Sequence, residues 1–149
     1  MTDEIRKAIS KKIGTFRDKS TTKLYSEESE QKFKEPCFYI KELRSSQEKE
    51  LGNRYRRSHL YDIHYFPNPE SKATNSDLRK MAEILYSEME LIEVSGRPLM
   101  GFELNHEIVG GVLHFFVRYP ISLYKEKAKT PSMEGLKQEG GLKIDSGND

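Results

Sequence analysis

Residues 101–124, GFELNHEIVGGVLHFFVRYPISLY, constrain the fold more than any other stretch of this chain. Gly110-Gly111 suits a two-residue turn that needs positive φ, and alternating residues flank it on both sides. With that turn Ile108 faces Leu113, His106 faces Phe115, Leu104 faces Val117 and Phe102 faces Tyr119, which makes a nearly apolar face. The opposite face pairs Glu107 with His114 and Glu103 with Arg118, complementary charges that contribute roughly 0.2–1 kcal/mol each. A one-residue slip would carry every side chain to the wrong face, so the pattern sets the register as well as the hairpin.

Two amphipathic helices accompany this hairpin. Ile5, Ala8, Ile9, Ile13 and Phe16 recur at helical spacing over residues 3–17, with Thr2 or Asp3 as cap. Leu78, Met81, Ala82, Leu85 and Met89 do the same over residues 75–89, with Asn75 or Ser76 as cap. Asp77 lies in the first turn, where the helix dipole favours an acid. A short strand is expected at Lys23–Ser26 and a second at Cys37–Leu43, opened by Pro36, which a strand start tolerates. Ser45–Gly52 is polar and is expected to hold a turn. Leu91–Val94 reads as a short strand or as the end of the second helix, and Ser95-Gly96 turns the chain.

Gln47–Pro67, QEKELGNRYRRSHLYDIHYFP, holds four Tyr or Phe rings, three Arg and two His, with a long strand expected from about Asn53 to Phe66. It is too aromatic for a solvated strand and too charged for a core strand, which points to a sheet surface used for binding. The fold class is therefore α+β: a mostly antiparallel β-sheet with two α-helices packed on one face. Residues 1–124 form the expected single domain. From Lys125 the aromatic residues and the periodicity stop, so 125–149 is expected to be a flexible C-terminal tail.

Charge and composition exclude several function classes. With 25 Lys and Arg against 24 Asp and Glu the net charge is +1, which gives no global attraction to nucleic acid or to an anionic membrane. Neither a membrane partner nor specific nucleic-acid binding is expected. No apolar run approaches the roughly 20 residues of a membrane span, and the first residues have no signal-peptide core. A soluble protein of the reducing cytoplasm is expected. Cys37, the one cysteine, precedes Phe38-Tyr39-Ile40 and reads as a small buried strand residue.

No phosphate loop, dinucleotide fingerprint or nucleophile elbow is present. His59, Asp62 and His64 are close in sequence, but alternation puts Asp62 and His64 on one face and His59 on the other. His114 and Glu107 would add ligands only if their strand neighbours this one. Structural or exposed histidines are the expected reading, with no metal, cofactor or catalytic residue. Arg54, Arg56 and Arg57 alternate with Tyr55, a pattern open to single-stranded nucleic acid. Arg and Tyr are also enriched at protein–protein hot spots, and Glu48, Glu50 and Asp62 flank the cluster. Asn53, Arg54, Tyr55, Arg56, Arg57 and Arg118 are accordingly the candidate subunit or partner interface.

Four segments carry a family resemblance: EIRKAI near the start, FKEPCFYI at 33–40, QEKELGNRYRRSHLYDIHYFP at 47–67 and GGVLHFFVRYPISLYKEK at 110–127. Together they resemble the tail-terminator, or tail-completion, proteins of tailed phages and prophages, over about residues 3–127. The resemblance implies a small α+β domain that assembles with itself as a ring, typically of six subunits, on the finished end of a tail tube. It implies contact with the tail tube protein and with the head–tail connector protein, and no catalytic residues. It also implies a place at the head-proximal end of the virion tail, with assembly in the host cytoplasm. The alternatives are a head–tail connector protein, a small nucleic-acid-binding module using the three arginines, and a metal-dependent hydrolase using His59, Asp62, His64 and His114.

Overall fold

In the computed structural model, residues 2–26, 34–70 and 75–125 are described. Chain order runs α1 (Thr2–Phe16), β1 (Lys23–Ser26), β2 (Cys37–Lys49), β3 (Arg54–Phe66), α2 (Asn75–Glu88), β4 (Leu91–Val94), β5 (Arg97–Met100), β6 (Phe102–Val109) and β7 (Val112–Tyr124). Five strands form one sheet in the order β1-β2-β3-β7-β6, and β4 and β5 form a separate two-stranded hairpin. β1 runs parallel to β2, while β6 and β7 are antiparallel. The α+β class read from the sequence is the class observed, and β5 is the strand that the sequence pattern did not reveal. Leu91–Val94, open between helix and strand in the sequence, is the strand β4.

Two compact units divide the chain. The first, Met1–Ser45 with His59–Pro120, holds both helices and the core. Ile5, Ile9 and Ile13 of α1 and Leu78, Ala82 and Leu85 of α2 are buried in one cluster. The sheet supplies Phe38, Ile40, Tyr61, Ile63, Leu113, Phe115, Val117 and Tyr119 to the same cluster. Those strand residues alternate along β2, β3 and β7, so a single sheet face receives both helices. Each fully buried Ile, Leu or Phe contributes about 1.5–3 kcal/mol by leaving water. Cys37 is fully buried, and burial pushes its thiol pKa up to about 11, which keeps it unreactive.

Two local expectations are corrected. β2 runs on to Lys49, so most of the polar stretch expected to hold a turn is strand. The turn itself is short: the Arg54 N–H donates to the Leu51 carbonyl at 3.3 Å, and the Glu50 N–H to the Arg54 carbonyl at 2.9 Å. Polarity in residues 44–49 marks exposure on an extended strand and not a loop.

The second correction concerns the β6–β7 register. From Val109↔Val112 to Asn105↔Phe116 the pairing follows the sequence reading, but a bulge then inserts one extra residue in β6. Phe102 lies opposite Arg118 instead of Tyr119, and Leu104 is not paired with Val117 as expected. Glu103 takes the strain with φ of 55°. The space opposite Tyr119 is tight: its hydroxyl donates to the Met89 carbonyl at 2.7 Å, and even a Cβ on Gly101 would stand 3.1 Å from its Cε1, so a second ring there would be overpacked.

Gly101 is itself tightly held. A Cβ there would stand 2.7 Å from Val117 Cγ2, 2.9 Å from the Met89 carbonyl oxygen and 3.1 Å from Tyr119 Cε1. Backbone cannot yield as a flexible side chain can. Gly101→Ala is therefore expected to destabilise the fold by about 1–3 kcal/mol, the usual range for overpacking, read as a lower urea midpoint at unchanged slope.

Candidate functional site

The second unit, Ser46–Ser58 with Ile121–Asp149, carries five of the six interface residues expected from sequence. Its described part is the distal β2–β3 hairpin and the end of β7. Gly52 supplies the positive φ of 68° that the turn requires, and Leu51 beside it is 93% exposed. Asn53 is tied to the end of β7: its Nδ2 donates to the Lys125 carbonyl at 2.8 Å, and the Lys125 N–H donates to the Asn53 carbonyl at 2.9 Å. The expected tail beyond Lys125 lies outside the described residues.

Around this hairpin Arg54, Arg56, Arg57 and Lys125 are each oriented by a neighbour. The Arg54 guanidinium lies 5.6 Å from the Tyr124 ring centre, and the Lys125 ammonium 4.5 Å from that of Tyr55. Arg56 pairs with Glu50 at 3.4 Å, and Arg57 donates from Nε and Nη2 to Gln47 Oε1 at 3.0 and 2.6 Å. Arg54 and Arg56 are exposed, while Tyr55 and Arg57 are half-buried. These are aromatic and guanidinium surfaces held in place with their outer parts in solvent, a form suited to contact with another protein.

Arg118, the sixth residue, belongs to the first unit. Its Nε donates to Glu103 Oε1 at 2.9 Å, the pair expected from the sequence, and its guanidinium lies 5.7 Å from the Phe102 ring centre. The bulge thus preserves the ion pair and adds an exposed ring to it.

The four residues of the metal-hydrolase alternative separate as alternation requires. His59 is 2% exposed, on the helix-facing side with Tyr61 and Ile63, and its Nδ1 is 2.7 Å from Glu42 Oε2. Asp62 and His64 point to the opposite face. There β7 is the neighbour of β3 in the sheet, and it brings in His114.

Asp62 Oδ2 stands 3.3 Å from His64 Nε2 and 3.1 Å from His114 Nδ1. One donor atom from each of the three residues lies within 4.8 Å of the others. Asp62 is only 5% exposed. The His64 and His114 rings meet edge to face at 4.4 Å, His64 stacks on Phe66 at 6.0 Å, and His114 on Phe116 at 6.4 Å. Burial lowers the His64 pKa below the usual histidine value, Asp62 partly opposes this, and His114 reinforces it. Sequence alone leaves this convergence conditional, because strand order is not a local property. Glu107 does pair with His114 in register, but it is exposed and outside the cluster.

One sheet face committed to helices and a hairpin bearing Arg and Tyr define a small α+β domain whose exposed features suit contact with other proteins. A family model described as phage tail terminator protein matches residues 4–131. This chain belongs to that family, and it is a structural protein of phage tail assembly. No curated protein matches the chain. One solved chain is similar over 85% of this chain and 99% of its own, at 10% identity and a TM-score of 0.38, too distant to bear on function.

Proposed function

We propose that the protein closes the tail tube: copies assemble into a ring, of six subunits, that stops tube polymerisation and presents a surface to the head–tail connector protein. The observation that carries this reading is the family match over residues 4–131. The distal hairpin supports it, since a ring needs a patch on one subunit that meets a different patch on the next. Asn53, Arg54, Tyr55, Arg56 and Arg57 supply one such contact, and Arg118 with Phe102 supplies another. Leu51 at the turn is an apolar side chain that no described residue covers. The partners are then other copies of the chain, the tail tube protein and the connector, at the head-proximal end of the tail.

Mixing purified protein with tail tubes tests this. Negative-stain images are expected to show one ring on a single end of each tube, and light scattering a mass of six subunits once the ring forms. Strict monomers that never decorate tube ends would overturn the reading.

A further inference from the structure

We propose that Asp62, His64 and His114 form a binding site for one divalent transition-metal ion, through Asp62 Oδ2, His64 Nε2 and His114 Nδ1. The donor set decides the class of ion. Two imidazoles and one carboxylate suit zinc(II), cobalt(II) or nickel(II), whereas magnesium and calcium take oxygen ligands.

The spacing fits. Metal–ligand bonds of about 2.0–2.1 Å in a tetrahedral site put neighbouring donor atoms roughly 3.3 Å apart. The observed separations from Asp62 Oδ2 are 3.3 Å to His64 Nε2 and 3.1 Å to His114 Nδ1. One donor atom from each of the three residues lies within 4.8 Å of the others, a spread that small imidazole rotations can close around one ion without moving a strand.

A second, independent observation is the state of the Asp62 carboxylate. It is buried, and its other oxygen, Oδ1, has no hydrogen-bond partner among the described residues. An unserved buried carboxylate oxygen is costly. Hydrogen bonds from the two histidines would both fall on Oδ2 and leave that cost in place, while a cation compensates the whole carboxylate.

The support around the donors is rigid. Asp62 and His64 alternate on β3 and His114 comes from its neighbour β7, so all three sit on paired strands. Phe66 and Phe116 stack on the two imidazoles, and the Tyr39 ring lies 5.3 Å from that of His64. These rings flank both imidazoles, whose side chains are 14% (His64) and 22% (His114) exposed. Three protein donors leave a fourth position open for an exchangeable ligand.

The test uses untagged full-length protein, stripped with EDTA and titrated with cobalt(II). Visible d–d bands are expected to saturate at one equivalent and to be erased by zinc(II), and zinc(II) is expected to raise the melting temperature where magnesium does not. Asp62→Asn should weaken cobalt affinity by about tenfold or more. His64→Ala and His114→Ala should each weaken it about 100-fold or more, at or beyond the upper end of the range for losing an outer-shell partner. A folded wild-type protein without these bands would overturn the site whatever the variants do. Bands that survive in the His64→Ala, His114→Ala double variant would also overturn it. Neither readout depends on tube capping, so the result stands apart from the role in the tail.

Discussion

Phe115→Ala is expected to lower the stability of the fold by about 3–5 kcal/mol, the range for removing a large ring from a filled core. Phe115 is fully buried, and its ring meets that of Tyr86 edge to face at 4.9 Å. It stands in the first half of β7, with Leu113 and Val117 on either side in the same cluster. The informative comparison is Phe102→Ala. In the alternation of the sequence Phe102 shares the apolar face with Phe115, but the bulge turns it out to 44% exposure over Arg118. Its loss should cost no more than about 1 kcal/mol, the strength of an exposed cation–π contact. Urea unfolding of both variants at one protein concentration checks the pair. Equal losses would mean that the regular register, without the bulge, is the one in solution.

Combining Arg54→Glu, Arg56→Glu and Arg57→Glu is expected to abolish ring formation and tube capping while leaving the monomer folded. Within the chain these arginines make surface contacts, to the Tyr124 ring, Glu50 and Gln47. Such exposed pairs contribute at most about 1 kcal/mol each. At an interface a central arginine is worth about 2 kcal/mol or more, roughly 30-fold in affinity per residue. Lys7 and Lys11, exposed on α1, are the control: Lys7→Glu with Lys11→Glu changes charge without touching the hairpin. Counting capped tube ends by microscopy and checking fold by circular dichroism separates the outcomes. A triple variant that still caps tubes would remove the hairpin from the interface.

Much of the fold was legible because periodicity is a local property. The Ile5–Ile9–Ile13 stripe and the Leu78–Ala82–Leu85 stripe are both buried as their spacing requires. Gly110 and Gly111 take the positive φ that a two-residue turn needs. What escaped was controlled by distant contacts or by weak local signals. Arg97–Met100 contains Pro98 and only two apolar residues after it, so nothing marks it as the partner of β4. The bulge at Glu103 depends on Met89 and Gly101 closing over Tyr119, which no pairing rule within the hairpin contains.

The candidate sites divide in the same way. Side-chain alternation along β3 was enough to separate His59 from Asp62 and His64, because successive residues of a strand point to opposite faces. The arginine and tyrosine pattern at Arg54–Arg57 was also visible directly, and the hairpin carries it into solvent. By itself, then, the sequence determined which residues share a face, since that follows from backbone geometry within one element. Only the tertiary structure decided which elements are neighbours. His114 lies 52 residues beyond Asp62 and reaches it only because β7 is inserted between β3 and β6 in the sheet. Strand order is a property of the whole core, where residues of both helices and of β2, β3 and β7 share one cluster, and no single segment contains it.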